Sequence, residues 1–285
     1  MIKTARQLKD KVKNLSGSDS RKAQIYLRNY FMERFLERVS ISQYNDKFVL
    51  KGGMLVASLV GLQMRATMDI DTTIRNITVN IMEAEKIVSD IIAVELDDNV
   101  TFSISSFGEI MEEHDYPGIR FILEAKLDTI KQPVKIDIST GDVITPAAVS
   151  YSYQLMFEDR SIPIYTYNVE TLLAEKLETM MARGIANTRL RDFYDVYTII
   201  DSSKDKIDVD NLRRAFIATS EKRNTSSLID DIHSVMTDIR SNDDMRKLWE
   251  RYSSKNFYVG ELMWNDVLDV IDDIFRDMFI TADIK

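Results

Sequence analysis

Apolar residues recur every three to four positions from about residue 3 to residue 40, most clearly in "IYLRNYFMERFLERV", and this spacing predicts an opening helical region. Short β-type runs then take over: "KFVLK", "MDIDTTI", "VTFSIS", "GIRFILEAKL", "VKIDIS", "SYSYQLMFED" and "IPIYTY". Helical patterns interrupt them, notably from Met54 and around Asn80–Ile92. Beyond Asn168 the strand pattern stops. "TLLAEKLETMMARG", "RLRDFYDVYTII", "VDNLRRAFIATSEKR" and "GELMWNDVLDVIDDIFRDMFI" all carry apolar residues near a 3.6 period. The pattern predicts an α+β half, residues 1–165 including the helical arm, and a helical half, residues 166–285.

Two of the strand runs carry carboxylates in an informative phase. In "MDIDTTI", Asp69 and Asp71 stand two apart; on a helix they would point about 200° from each other, whereas on a strand they share a face. Ile70 then turns to the core while both carboxylates line a cleft. Such a pair repels itself and is tolerable when solvated or bridged by a cation. "VKIDIS" repeats the logic, with Val134, Ile136 and Ile138 on one face and Lys135 and Asp137 on the other. If the two strands are neighbours, Asp137 is a third metal ligand or the general base. An all-oxygen site of three carboxylates suits Mg²⁺ and in-line attack on a nucleoside triphosphate. Taken alone, D-x-D is more often an ordinary surface pair; the Gly-Gly that precedes it at a strand-to-helix junction favours the metal reading.

"KFVLK" is followed at once by Gly52 and Gly53 and the helix-like "MLVASLVGL". Glycines in a helix's first turn leave backbone N–H groups open to an anion, with no Cβ in the way. Lys51, Gly52 and Gly53 are therefore candidate nucleotide-binding residues, against the plainer reading of a turn. In "TLLAEKLETMMARG", Leu173, Leu177, Met180 and Met181 mark a buried face with Lys176 at its margin; in the next helix Phe193, Tyr197 and Ile200 are spaced for burial, with Asp192 and Asp195 on another flank. Lys176 can reach triphosphate oxygens, Arg189 or Arg191 can add positive charge where pyrophosphate leaves, and Asp192 can hold Lys176. A Lys–Asp bridge between packed helices explains the same spacing without chemistry.

Composition narrows the field. The chain has 285 residues, 45% hydrophobic and 29% charged, with no cysteine, which excludes disulfides, zinc–thiolate sites and thiol nucleophiles. A His-rich metal site or a Ser-His-Asp triad would depend on His114 or His233, the two histidines present. No apolar run reaches the roughly 20 residues of a membrane span, and the N-terminus lacks the apolar stretch of a signal peptide, so a cytoplasmic protein is expected. The net charge of −9 is uneven: residues 1–38 hold ten Lys/Arg against four Asp/Glu, a net of +6. That arm can meet RNA, DNA or an acidic partner, or lie as a solvated helix on the acidic body.

The stretches "FVLKGGMLVASL…RATMDIDTTI", "VKIDISTGD", "LLAEKLETMMARG" and "RLRDFYDVY" resemble the AbiEii/AbiGii-type nucleotidyltransferases. These are toxins of abortive-infection and type IV toxin–antitoxin pairs, distant relatives of the DNA polymerase β superfamily. The resemblance runs in order over roughly residues 25–200. It implies a polymerase β-like core with a mixed sheet and a helical C-terminal domain. It implies Mg²⁺-dependent transfer of a nucleotide from an NTP, with the 3′ end of a tRNA among the acceptors of relatives, and a cognate antitoxin protein. The family's Gly-Gly loop corresponds to Gly52 and Gly53, its carboxylate pair to Asp69 and Asp71, its later lysine to Lys176 and the aspartate of its R-D-x-x-D segment to Asp192. Asp137 stands in the place of the superfamily's third carboxylate. The superfamily usually has Gly-Ser where this chain has Gly-Gly followed by Met54, so backbone N–H groups must serve the phosphate. Arg65 and Thr67 fit the family's R-x-T/S-x-D lead-in and are expected to support the carboxylate strand. Protein nucleotidylation and a non-catalytic nucleotide-binding module stay open as alternatives.

Overall fold

A computed structural model of the chain describes residues 1–75, 80–111 and 117–279. Helix α1 (Ala5–Ser16) starts at a capping box, in which Thr4 accepts from the Gln7 amide, and stops at Gly17, whose φ is 60°. Helix α2 (Ser20–Ile41) follows with Asp19 accepting from the Arg21 and Lys22 amides, so the single helical region expected here is two helices. Strand β1 (Phe48–Lys51), helix α3 (Gly52–Val60), strand β2 (Asp69–Ile74) and helix α4 (Ile81–Ile92) come next. Strands β3 (Thr101–Met111), β4 (Pro117–Leu127), β5 (Ile130–Thr140), β6 (Val149–Gln154) and β7 (Ser161–Thr166) complete the sheet.

The seven strands form one mixed sheet in the order β3-β4-β5-β2-β1-β7-β6. The β1/β7 and β2/β5 pairs are parallel and the others antiparallel. Alternation sends Ile70, Val134, Ile136 and Ile138 into the core, each 1% exposed or less, and α2 packs against β5 and β7. The register that matters pairs Asp69 with Lys135 and Asp71 with Asp137 across β2 and β5. One residue of slip would turn a carboxylate strand inside out.

The remaining elements are helical: α5 (Val169–Arg183), α6 (Leu190–Ser203), α7 (Val209–Lys222), α8 (Ile232–Ser241), α9 (Asp243–Lys255) and α10 (Trp264–Phe279). Helix α5 begins at the Asn168 cap and ends at Gly184, φ 47°. Residues 1–58, 66–142 and 148–166 form one compact unit; residues 59–65, 143–147 and 167–285 form a second. Leu173, Leu177, Met180, Met181, Phe193 and Ile200 are buried in the second unit, as their spacing predicts, whereas Tyr197, expected to be buried with them, is half-buried. His114 lies outside the described residues, and His233 is exposed on α8.

Candidate functional site

In the sheet unit, β2 and β5 present Asp69, Asp71 and Asp137 on one face, and each offers a carboxylate oxygen within 4.8 Å of the others. The strands are locked beside them by hydroxyls: Thr72 Oγ1 donates to the Asp137 carbonyl at 3.2 Å and Ser139 Oγ to the Thr72 carbonyl at 3.2 Å. Thr67 braces the start of β2 by donating to the Asp69 carbonyl at 3.2 Å. The carboxylates are half-buried to buried, and their mutual repulsion shows at Asp71. Burial raises its pKa, Asp69 and Asp137 raise it further, and Lys51 and the Gly53 amide act the other way.

Cations offset part of this charge. Lys135 Nζ lies 2.5 Å from Asp69 Oδ2 and 3.4 Å from Asp137 Oδ2. Arg120, on β4, grips Asp137 with both arms, Nε to Oδ1 at 2.7 Å and Nη2 to Oδ2 at 2.8 Å. That fork raises the guanidinium's pKa and engages both oxygens of the residue expected to act as a general base. Lys51, opposite Asp71 in the β1/β2 register, is bound by Asp142 at 2.7 Å. Lys135 and Arg120 carry no role in the sequence reading. Lys135 was already visible on the Asp137 face; Arg120 comes to the cluster through the β4/β5 register, which pairs it with Asp137.

The two glycines divide their work. Gly52 has φ 62°, and a Cβ built there would lie 2.1 Å from Asp71 Oδ2 and 2.7 Å from the Asp71 Cβ. A glycine is thus required where α3 begins because the chain passes against Asp71 itself. The Gly53 amide donates to Asp71 Oδ2 at 3.3 Å, so the start of α3 faces a carboxylate, the sign of charge its free amides favour. Three closely spaced, partly charge-compensated carboxylates form an oxygen donor set that fits a hard divalent cation such as Mg²⁺.

In the helical unit, Lys176 is buried between α5 and α6, with Asp192 Oδ1 at 2.8 Å and Asp195 Oδ2 at 2.7 Å. Arg65 joins the same cluster, Nε to Asp195 Oδ1 at 2.7 Å and Nη2 to Oδ2 at 3.2 Å. Burial works against the charge of Lys176, but Asp192 and Asp195 outweigh it and raise the pKa. Burial likewise works to raise Asp195, but Arg65 and then Lys176 hold it down to about 2. Asp195, placed beside Asp192 by the sequence pattern, is the member to which the motif reading gave no role. Its signal was the i,i+3 spacing from Asp192, which puts both on one side of α6. Two of the three Lys176 N–H donors are taken, and Arg189 and Arg191 are exposed at the start of α6.

Residues 34–273 match the family model described as the nucleotidyl transferase AbiEii toxin of type IV toxin–antitoxin systems. Among solved structures the chain is similar to JHP933 from Helicobacter pylori, at 14% identity and a TM-score of 0.51, over 91% of this chain and 95% of that one. A second Helicobacter pylori structure, of a proposed nucleotidyltransferase, is 12% identical with a TM-score of 0.50, over 92% of this chain and 98% of that one. At these identities the likeness is one of fold. No match is found among curated proteins.

Proposed function

Because the chain belongs to the AbiEii nucleotidyltransferase toxin family of type IV toxin–antitoxin systems, we propose that it transfers a nucleotide from an NTP, with Mg²⁺, to the 3′ end of an RNA, specifically a tRNA, and so arrests growth in abortive phage defence. Membership makes the chain a nucleotidyltransferase and implies an NTP substrate and an antitoxin partner. The observation that carries the proposal is the convergence of Asp69, Asp71 and Asp137 from adjacent strands, beside the glycine-started α3.

In the proposed reaction the acceptor hydroxyl oxygen attacks the α-phosphorus, a new P–O bond forms, the bond to the bridging oxygen of the β-phosphate breaks, and pyrophosphate leaves. Asp69, Asp71 and Asp137 would hold the metal, whose charge makes the attacking hydroxyl more acidic and offsets that of the pyrophosphate. Asp137 accepts the hydroxyl proton only after the Arg120 fork has opened; the Arg120 side chain is 41% exposed and has room to swing. Lys51 and the Gly52–Gly53 backbone are proposed to orient the triphosphate in the sheet unit. In the helical unit Lys176 is the proposed phosphate-binding cation, held by Asp192 and Asp195, with Arg189 and Arg191 as further phosphate contacts.

Residues 1–165 are proposed as the catalytic core with its basic arm, and 166–285 as the helical domain. The cytoplasm, where NTPs and tRNA meet, is the proposed place of action; among the described residues no helix is long and apolar enough to cross a membrane. The test is incubation with each α-labelled NTP, Mg²⁺ and total RNA. Label at RNA 3′ ends is the expected result. Label on a protein band would shift the acceptor to a protein, and no incorporation with any NTP would refute the enzymatic reading.

A further inference from the structure

Not all of the positive charge in residues 1–38 is alike. Arg38 is buried and holds Asp98 with both arms, at 2.9 and 3.0 Å, and Arg34 is buried against Glu37 at 2.7 Å. These belong to the core. The exposed remainder is ordered: Arg6, Lys9 and Lys13 lie at i, i+3 and i+7 on α1 and so share a face, and all three are exposed. Arg21 and Arg28 lie seven apart on α2, again on one face and about 10 Å apart along the axis. Among the described residues, none of these five cations stands in an ion pair.

The two stripes meet at a groove of about 400 Å³ between α1 and α2, lined by Lys9 and Lys13 from one helix and Gln24, which shares the Arg21–Arg28 face, from the other. Asp19, the acidic residue in that lining, is taken up in capping the Arg21 and Lys22 amides. At its far end the α2 stripe reaches the carboxylate strand: Arg28 Nη1 donates to the sulfur of Met68 at 2.9 Å, and Met68, itself half exposed, immediately precedes Asp69. The Arg28 Nε is buried with no hydrogen-bond partner.

We infer that the α1–α2 corner, Arg6, Lys9, Lys13, Arg21 and Arg28, is a track for the phosphate backbone of the RNA acceptor, delivering its end to the Asp69–Asp71 strand. The inference rests on the proposed RNA acceptor and deepens it. Lysines and arginines one to two helical turns apart match successive phosphates. Within a chain of net charge −9, this cationic run, exposed but for the half-buried Arg28 and with none of the five in an ion pair among the described residues, favours a polyanion. No base-reading role follows from it, so binding is expected to be insensitive to sequence.

The test compares the wild-type chain with Arg6→Gln/Lys9→Gln/Lys13→Gln/Arg21→Gln and with a charge-matched control, Lys126→Gln/Lys204→Gln/Lys206→Gln/Lys247→Gln. Fluorescence anisotropy follows binding of labelled total tRNA over a salt series, and a fluorescent ATP analogue with Mg²⁺ reports the nucleotide site separately. If each of the four cations neutralises one phosphate, the slope of log affinity against log salt falls by roughly 3, and affinity at 0.1 M salt falls up to about a thousandfold. The control variant keeps the wild-type slope, and all three proteins bind the ATP analogue alike. An unchanged slope in the α1–α2 variant, or no tRNA binding by the wild type, overturns the inference. So does polyglutamate that displaces tRNA at equal charge, which would give the face to an acidic protein. A wild type that binds tRNA with the expected slope yet transfers no nucleotide leaves the track standing and refutes the catalytic reading instead.

Discussion

Gly52→Ala is the sharpest perturbation the site permits, because two separable costs fall on one methyl group. The first is backbone strain: an alanine at φ 62° costs about 1–2 kcal/mol relative to glycine. The second is collision. The new Cβ would sit 2.1 Å from Asp71 Oδ2 and 2.7 Å from the Asp71 Cβ. Rotating the Asp71 side chain relieves the first contact but leaves its Cβ in place, so β2 and the start of α3 must separate. Overpacking of that kind costs about 1–3 kcal/mol, for a total of roughly 2–5 kcal/mol. Gly17→Ala is the matched control, with φ 60° and nothing within 4 Å of the added Cβ, so it carries the strain alone. Urea unfolding should place Gly52→Ala below Gly17→Ala by the collision energy. Nucleotide transfer should be lost in the first and kept in the second. Equal stabilities and equal activities would refute the claim that Gly52 is a glycine because of Asp71.

Other outcomes follow from the same geometry. Lys176→Ala removes the cation that Asp192 and the buried Asp195 share, leaving Asp195 to Arg65, and denaturation should show a loss of roughly 3–5 kcal/mol; a loss under about 1 kcal/mol would contradict the buried arrangement. Lys135→Gln removes the cation seated on Asp69 and Asp137, so Mn²⁺ affinity should rise severalfold in titration calorimetry; a fall would show that the lysine assists binding. Burial raises Glu33, from 4.5 to about 8, even though the Met156 amide and Asn29 donate to it. A carboxyl with a folded-state pKa above its unfolded value contributes stability that is full below about 4.5 and lost as pH rises through about 8, up to roughly 5 kcal/mol. Thermal melts should therefore show a fall from pH 5 to pH 9 that Glu33→Gln flattens; parallel pH profiles would contradict it.

The sequence carried local geometry well and long-range pairing poorly. The shared face of Asp69 and Asp71 is a consequence of strand periodicity alone and is legible in "MDIDTTI". That Asp71 stands opposite Asp137 depends on β2 pairing in parallel with β5, across more than sixty residues of chain, and no local pattern encodes that register. The partners that offset the carboxylate charge, Lys135 and Arg120, follow from the same register and its β4 neighbour. Two glycines in a row looked equivalent; their different tasks emerge only when Asp71 is packed against the first. Lys176 was read at the margin of a helix face, yet it is buried, because two aspartates of α6 come to it. Helices α8 and α9 went unmarked although Ile232, Val235, Met236 and Ile239, and Met245, Leu248, Trp249 and Tyr252, each stand at i, i+3, i+4 and i+7, a spacing legible in the sequence.

Mn²⁺ binding followed by electron paramagnetic resonance, in the wild type and in Asp71→Asn, tests the carboxylate centre most directly. The free-ion signal should be depleted by the wild type and restored in the variant, with the variant's melting temperature unchanged or raised and its nucleotide transfer abolished. Equal depletion by both proteins, with transfer intact in Asp71→Asn, would show that the ion and the chemistry lie elsewhere.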